Sequence, residues 1–123
     1  MSRPFIHRHR PAAALFALVC AASLWLPAWP AAAQDVEKLF ATAQELYDQH
    51  QCDAALPLFR KLHDQTSSPN ARLYIARCYR QQGKMVEAYT EMQATLADAE
   101  ARAALEDRYE PTRLAAATEL KEL

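Results

Sequence analysis

The sequence predicts an all-α fold: a short solenoid of helical hairpins with a long, extended fourth helix and a C-terminal helix. Between Ala71 and Leu96, apolar residues recur three and four positions apart in two runs, which is the spacing of amphipathic helices. Gly83, the only glycine of the chain, separates the runs, and a glycine can end one helix so that the next folds back. The same layout occurs 33 residues earlier. A duplicated helical hairpin is typical of a helical solenoid.

Five pairs of residues carry this duplication at one constant offset. The pairs are Ala43 and Ala76, Leu46 and Tyr79, Ala55 and Ala88, Phe59 and Met92, and Leu62 and Thr95. Their spacing resembles the tetratricopeptide repeat, whose pattern is W-x2-L-G-x2-Y…A-x3-F…P. Leu39 and Arg72 stand where tryptophan is typical of that family, and His50 stands where the second copy has Gly83. The resemblance implies one repeat over about 36–68 and a second over about 69–102.

The first 33 residues have the pattern of a secretory signal peptide. Arginines and histidines lie ahead of an uncharged apolar run from Ala12 to Leu26, and prolines and three alanines follow it. The apolar run has 15 residues, whereas a membrane-spanning helix needs about 20. We therefore expect cleavage after Ala33 or one residue later, which leaves a helical domain over 34–123 without a membrane span. An uncleaved membrane anchor is the alternative.

Loss of this leader makes the chain more acidic. The full chain has a formal net charge of −1, and removal of Arg3, Arg8 and Arg10 brings it to −4. Binding of nucleic acid requires a basic face. The charge therefore argues against a nucleic-acid partner.

The first hairpin is predicted from two amphipathic stretches. Helix one is expected from about residue 36 to 50, with Asp35 as its N-cap because a carboxylate suits the positive end of a helix dipole. Helix two is expected from residue 52 or 53 to 63. Pro57 lies in its first turns, where a proline removes at most one hydrogen-bond donor.

A polar loop over 64–70 is expected to lead into the second hairpin. Ser68 followed by Pro69 predicts a helix start, because serine is a good cap and proline suits the first helical position. Helix three is expected to reach Gln82. Helix four is expected from Met85 as far as Tyr109, since this stretch has no glycine or proline and is rich in strong helix formers.

A fifth helix is predicted from Pro111 to Leu123. The order of these segments resembles the N-terminal half of secreted bacterial tetratricopeptide proteins. It consists of a signal peptide, two repeats, a long alanine- and glutamate-rich helix and a closing helix. In those proteins a β-rich module of PEGA type often follows the helices, and we expect this chain to lack it. We expect either a minimal version of such a protein or a truncated one.

No arrangement of residues predicts catalysis or metal binding. The two histidines of the predicted domain, His50 and His63, have no partner at a metal-ligand spacing such as H-x3-H or C-x2-C. The chain also lacks a G-x-S-x-G motif and a phosphate-binding loop. We therefore expect a non-catalytic protein without a cofactor.

Cys52 and Cys78 lie on helices that should pack together, one in each hairpin. A disulfide between them would stabilise the fold by about 3–4 kcal/mol in the chain-entropy model. The alternative is two separate buried thiols, since free cysteine is among the most buried residue types. The sequence leaves both open, because the distance between the Cα atoms cannot be read from it.

The first helices of the two hairpins are expected to line a concave groove, where ligands of the resembled family bind. Arg77 and Arg80 are neighbours on a helix face and could hold a carboxylate together; alternatively they pair with acidic residues of adjacent helices. Ala41 and Tyr74 replace the asparagines of the carboxylate clamp found in chaperone-binding members. The predicted groove residues are Phe40, Gln44, Tyr47, Leu73, Tyr74, Arg77 and Arg80.

The sequence thus predicts an exported helical-repeat module that binds an unidentified protein or peptide in the bacterial cell envelope, periplasmic or secreted. Two alternatives remain open. One is a structural piece that self-associates into a homo-oligomer through the end of helix four and helix five. The other is a truncated remnant of a larger envelope protein of this type.

Overall fold

A computed structural model describes residues 31–123, which form five α-helices and two short 3-10 turns. The helices are α1 (Ala31–Asp48), α2 (Cys52–Thr66), α3 (Pro69–Gln81), α4 (Met85–Ala103) and α5 (Glu110–Glu119), and the turns are Asp107–Tyr109 and Leu120–Glu122. Each helix packs on the next one, and α3 also contacts both α1 and α5. The predicted all-α solenoid of helical hairpins is confirmed.

The predicted leader lies almost wholly outside the described residues. Only Ala31, Ala32 and Ala33 of it are described, and they form the first turn of α1. The predicted N-cap at Asp35 is wrong, because Asp35 lies inside α1. Between Ala31 and Leu123, no helix combines the length and apolar character needed to cross a membrane.

The two hairpins turn with the same backbone geometry. His50 has a φ of 60° and Gly83 a φ of 73°, both in the left-handed region. Gln51 N–H donates to the Leu46 carbonyl at 2.8 Å, and Lys84 N–H donates to the Tyr79 carbonyl at 2.9 Å. These are equivalent bonds at the repeat offset, and they form the Schellman closure that satisfies the last carbonyls of a helix. The backbone therefore repeats even where the glycine does not.

The core contains the small and bulky residues that the repeat predicts. Ala43, Ala55, Ala76 and Ala88 are all fully buried, which lets neighbouring helices approach closely, whereas Leu46 and Tyr79 are half-buried. The bulky partners Phe59 and Met92 are also fully buried. Phe59 lies in a cluster shared by α1, α2 and α3, and Met92 lies in a second cluster shared by α3, α4 and α5.

The loop between the hairpins is shorter than predicted. Helix α2 continues to Thr66, so only Ser67 and Ser68 remain outside helices instead of the predicted residues 64–70. Ser67 ends α2 in the left-handed conformation, with φ 50° and its N–H bonded to the His63 carbonyl at 2.7 Å. Ser68 and Pro69 start α3 as predicted, although the Ser68 side chain makes no capping hydrogen bond.

Helix α4 ends at Ala103, six residues before the predicted end at Tyr109. The chain turns at Ala104 and Leu105, and the following 3-10 turn buries Tyr109. Arg102 and Arg108 place their guanidinium carbons 5.5 and 4.7 Å from the Tyr109 ring centroid. Burial of a tyrosine ring with two cation–π contacts therefore outweighs the helix propensity of this stretch.

Helix α5 runs beside α3 in a constant register. Asn70 bonds to Thr112, Arg77 to Glu119 and Arg80 to Glu122, and each pair is separated by 42 residues. Ala116 of α5 is fully buried in the cluster that contains Met92 and Leu96. Helix α5 therefore takes the position that the first helix of a third hairpin would have.

Candidate functional site

The face formed by α1 and α3 carries a cluster of four aromatic rings. Tyr74 is at its centre: its ring stacks on Phe59 with the centroids 4.8 Å apart, and the edges of Phe40 and Tyr47 meet it at 5.7 and 5.1 Å. Phe40 also contacts Phe59 edge to face at 5.9 Å. Because Phe59 is fully buried and the other three rings are half-buried, this cluster joins the core to the surface.

Polar groups fix the position of the Tyr74 ring. Gln44 Nε2 donates to the Tyr74 hydroxyl at 2.6 Å, and the Arg77 guanidinium lies 5.1 Å from the ring centroid. Burial raises the pKa of the neighbouring Tyr47 hydroxyl, although a hydrogen bond to Gln81 lowers it in part. The predicted groove residues on α1 therefore lie together with Tyr74.

The two arginines of the predicted groove pair with the end of the chain. Arg77 Nε lies 3.0 and 3.1 Å from the two carboxylate oxygens of Glu119, and Arg80 lies 3.2 Å from Glu122. Burial alone would lower the pKa of Arg77, but the hydrogen bonds to Glu119 raise it above its usual value. Both arginines therefore pair with acidic residues near the C-terminus and do not form an open carboxylate site. Leu73, another predicted groove residue, is buried against α5.

Two adjoining depressions remain open between α1, α3 and the region of Tyr109. One has a volume of about 370 Å³ and lies along α3 and α5. The other has a volume of about 450 Å³ and lies between α1 and the 3-10 turn that contains Tyr109. They share Phe40, Asn70 and Arg108. We call the two depressions together the α1–α3–α5 groove.

Arg102, Arg108 and Tyr109 are among the residues of this groove that were not predicted from the sequence. The prediction placed them on a continuous helix four, where they would not have converged on α1. Arg108 is bonded to Glu106 at 2.7 Å, but its side chain is 68% exposed. Arg102 makes no salt bridge within residues 31–123. The one feature of the sequence that could have indicated these groove residues is the placement of two arginines near a tyrosine, and this pattern is not specific for a binding site.

Cys52 and Cys78, for which the sequence left a disulfide open, are both buried free thiols. Both belong to the core cluster around Phe59, and Cys52 Sγ donates to Gln81 Oε1 at 3.1 Å. Burial is the main reason why the pKa of the Cys78 thiol lies far above its ordinary value. Among the described residues, no group of three or more histidine, cysteine or acidic side chains could hold a metal ion.

A comparison with protein families agrees with this geometry. The model of a tetratricopeptide-like repeat family, "Anaphase-promoting complex, cyclosome, subunit 3", matches residues 48–105. The match covers somewhat less than half of the chain, and it includes α2, α3 and α4 completely. No curated protein and no solved structure matches the chain. The matched segment also contains the second hairpin, which repeats the first at an offset of 33 residues. Residues 48–105 are therefore similar to a repeat family of the tetratricopeptide type.

Proposed function

We propose that this chain is an exported, non-catalytic module that binds a segment of a protein or peptide in the α1–α3–α5 groove. Repeats of the tetratricopeptide type bind proteins or peptides in general and are typically non-catalytic. The observation that carries the proposal is the composition of the groove, in which Phe40 and Tyr74 form an apolar floor and Arg108 stands at the rim of both depressions.

This composition favours a partner segment with apolar and acidic side chains. Each depression is within the range of about 300–1,000 Å³ that is usual for small-ligand sites, and tyrosine and arginine are frequent among residues that dominate binding energy. Arg77 is held in a largely buried pair with Glu119. Arg108 also pairs with Glu106, but its side chain is 68% exposed, so Arg102 and Arg108 supply the accessible positive charge. The acidic side chains of the partner are therefore expected near Tyr109.

Cross-linking from a defined position tests the proposal without knowledge of the partner. A photoreactive amino acid replaces Arg108 in the groove, and in a matched variant it replaces Val86, which is 78% exposed on α4 and outside the groove. Irradiation of cells that produce the full chain is expected to give a discrete cross-linked product from position 108 alone. The same product from both positions, or from position 86 alone, would remove the groove from the proposal.

A charge reversal then tests the role of the arginine. Arg108→Glu is expected to weaken binding of the cross-linked partner by at least about tenfold, since loss and inversion of a charged contact costs more than about 1.4 kcal/mol. Lys38→Glu is the matched control, because Lys38 is exposed on α1 and lies outside both depressions. Equal weakening by the two variants would indicate a general charge effect and no specific contact.

Export is supported by the pattern of residues 1–33, with its basic start, apolar run and alanines. Cleavage after Ala33 would shorten α1 by three residues but would keep Val36 and Leu39, which pack against the core. The mass of the protein recovered from the cell envelope is the test. We expect an N-terminus at Gln34 or Asp35, and an intact N-terminus would contradict cleavage.

Self-association is a second candidate function, and two exposed leucines favour it. Leu105 is 86% exposed and Leu114 on α5 is 52% exposed. Contact between copies would remove this apolar surface from water. Light scattering on the full chain separates the two proposals. A dimer that Leu105→Asp and Leu114→Asp dissociate supports self-association, and a monomer at micromolar concentration contradicts it.

A further inference from the structure

Cys52 and Cys78 join the two hairpins at one end of the solenoid. Cys52 is the first residue of α2, and Cys78 lies in the last turn of α3. Both side chains are buried, at 4% and 0% exposure, and both belong to the core cluster around Phe59. The pair therefore lies across the interface between the first and the second hairpin.

Side-chain hydrogen bonds between the beginning of α2 and the end of α3 hold the two cysteines at this junction. Cys52 Sγ donates to Gln81 Oε1 at 3.1 Å, and Gln81 lies in the same last turn of α3 as Cys78. Next to them, Gln82 Nε2 donates to Asp53 Oδ1 at 2.7 Å. These contacts hold the beginning of α2 against the end of α3, so the two sulfur atoms stay near each other in the reduced protein.

The two thiols differ in their access from solvent. Cys52 lines a depression of about 220 Å³ together with His50, Asp53, Gln81 and Gln82, whereas Cys78 does not line it. A small molecule that enters this depression therefore reaches the sulfur of Cys52 first. Cys78 lies behind Cys52. The Cys78 sulfur can therefore react only with Cys52 or with a group bound to Cys52.

We propose that Cys52 and Cys78 form a redox-sensitive dithiol site whose co-reactant is a small disulfide such as oxidised glutathione. The Cys52 thiolate attacks the disulfide, forms a mixed disulfide and releases one thiolate, which takes up the proton lost by Cys52. Cys78 then loses its proton and attacks the Cys52 sulfur. The Cys52–Cys78 bond forms as the mixed disulfide breaks, and a second thiol leaves with that proton. Two protein thiols are oxidised to one disulfide, and one small disulfide is reduced to two thiols.

Oxidation would fasten the first hairpin to the second by a covalent bond. The bridge would close the loop from α2 through α3, which restricts the unfolded chain. It would also replace the bond from Cys52 to Gln81, so Gln81 and the neighbouring depression would change when the site is oxidised. The site therefore couples the redox state of the surroundings to the rigidity of the stacked hairpins.

The test uses the full chain with Cys20→Ser, so that Cys52 and Cys78 are the only thiols. The folded protein is equilibrated with mixtures of reduced and oxidised glutathione, quenched with acid and analysed by mass spectrometry. We expect a monomer that has lost two hydrogen atoms and yields a linked Cys52–Cys78 peptide. Its thermal midpoint is expected to rise by about 10 °C or more relative to the reduced form.

Two variants test the order of the steps. With Cys78→Ala, one glutathione is expected to remain bound at Cys52; with Cys52→Ala, Cys78 is expected to remain unmodified while the protein is folded. Alanine is used because a serine hydroxyl at these buried positions would need a new partner. Two free thiols in fully oxidising glutathione, disulfide-linked dimers, or a bridge that forms only in denaturant would each overturn the proposal. Equal modification of both single-cysteine variants would overturn the assigned order.

Discussion

The ion pair between Arg77 and Glu119 provides a quantitative test of how α5 is held on the solenoid. Its side chains are 24% and 19% exposed, and three nitrogen–oxygen distances between 2.5 and 3.1 Å connect them. The pair between Arg80 and Glu122 joins the same segments at the same offset, but it is 38% and 53% exposed with distances of 3.2 Å. The second pair is therefore a matched control that differs mainly in burial.

The expected energies follow from that difference. Opposite charges about 4 Å apart attract by about 4 kcal/mol at an effective dielectric constant of 20, and desolvation offsets much of this for a half-buried pair. We expect a coupling energy of about 1–2 kcal/mol for Arg77 and Glu119, and of about 0–0.5 kcal/mol for Arg80 and Glu122. Double-mutant cycles with glutamine at each position, followed by urea unfolding, measure both values. Equal coupling in the two pairs, or none in the buried one, would refute the reasoning.

Three further predictions concern stability. Ala88→Leu is expected to overpack the fully buried contact of α3 with α4 and to cost about 1–3 kcal/mol, whereas the exposed Ala97→Leu changes the free energy of unfolding by less than about 0.5 kcal/mol. Thermal unfolding of both variants measures the difference. His50→Gly is expected to stabilise the protein by about 0.5–1 kcal/mol, because it relieves a left-handed conformation at a residue with a Cβ; an unchanged or lower urea midpoint would contradict this. Burial raises the pKa of the Cys78 thiol above its ordinary value of 9.0, so the unfolded thiol ionises first and the stability of the reduced protein falls above about pH 9, by up to about 1.4 kcal/mol per pH unit. Cys78→Ala should reduce this slope in urea unfolding between about pH 8 and pH 10, and an identical slope would contradict the assignment.

The sequence predicts the hairpins well because their geometry depends on local and repeated signals. The small buried residues recur at one offset, and Ser68 with Pro69 marks the start of α3 without reference to the rest of the chain. The turn at His50 could be inferred only from its equivalence to Gly83, since histidine by itself does not favour a left-handed conformation. Repetition therefore carried information that residue type did not.

The end of α4 and the register of α5 could not be predicted from the same signals. The stretch after Ala97 is rich in helix formers, yet α4 ends at Ala103 and Tyr109 is buried in the turn that follows. The offset between α3 and α5 is 42 residues, nine more than the repeat offset, because the last part of α4 and the 3-10 turn intervene. A search at a fixed period therefore misses α5 as the start of a third unit, and it also misses Arg102 and Arg108 as groove residues.

We propose that the α1–α3–α5 groove binds a segment of another protein, and this proposal can be tested directly. The most direct measurement is a titration of the isotope-labelled full chain with a peptide selected from a random library, followed by the chemical shifts of backbone amides. We expect the largest changes at Phe40, Tyr74, Arg108 and Ala115, which line the groove, and we expect Arg108→Glu to reduce them at equal peptide concentration. Largest changes at Val86 and Tyr89, on the exposed face of α4, would contradict the claim.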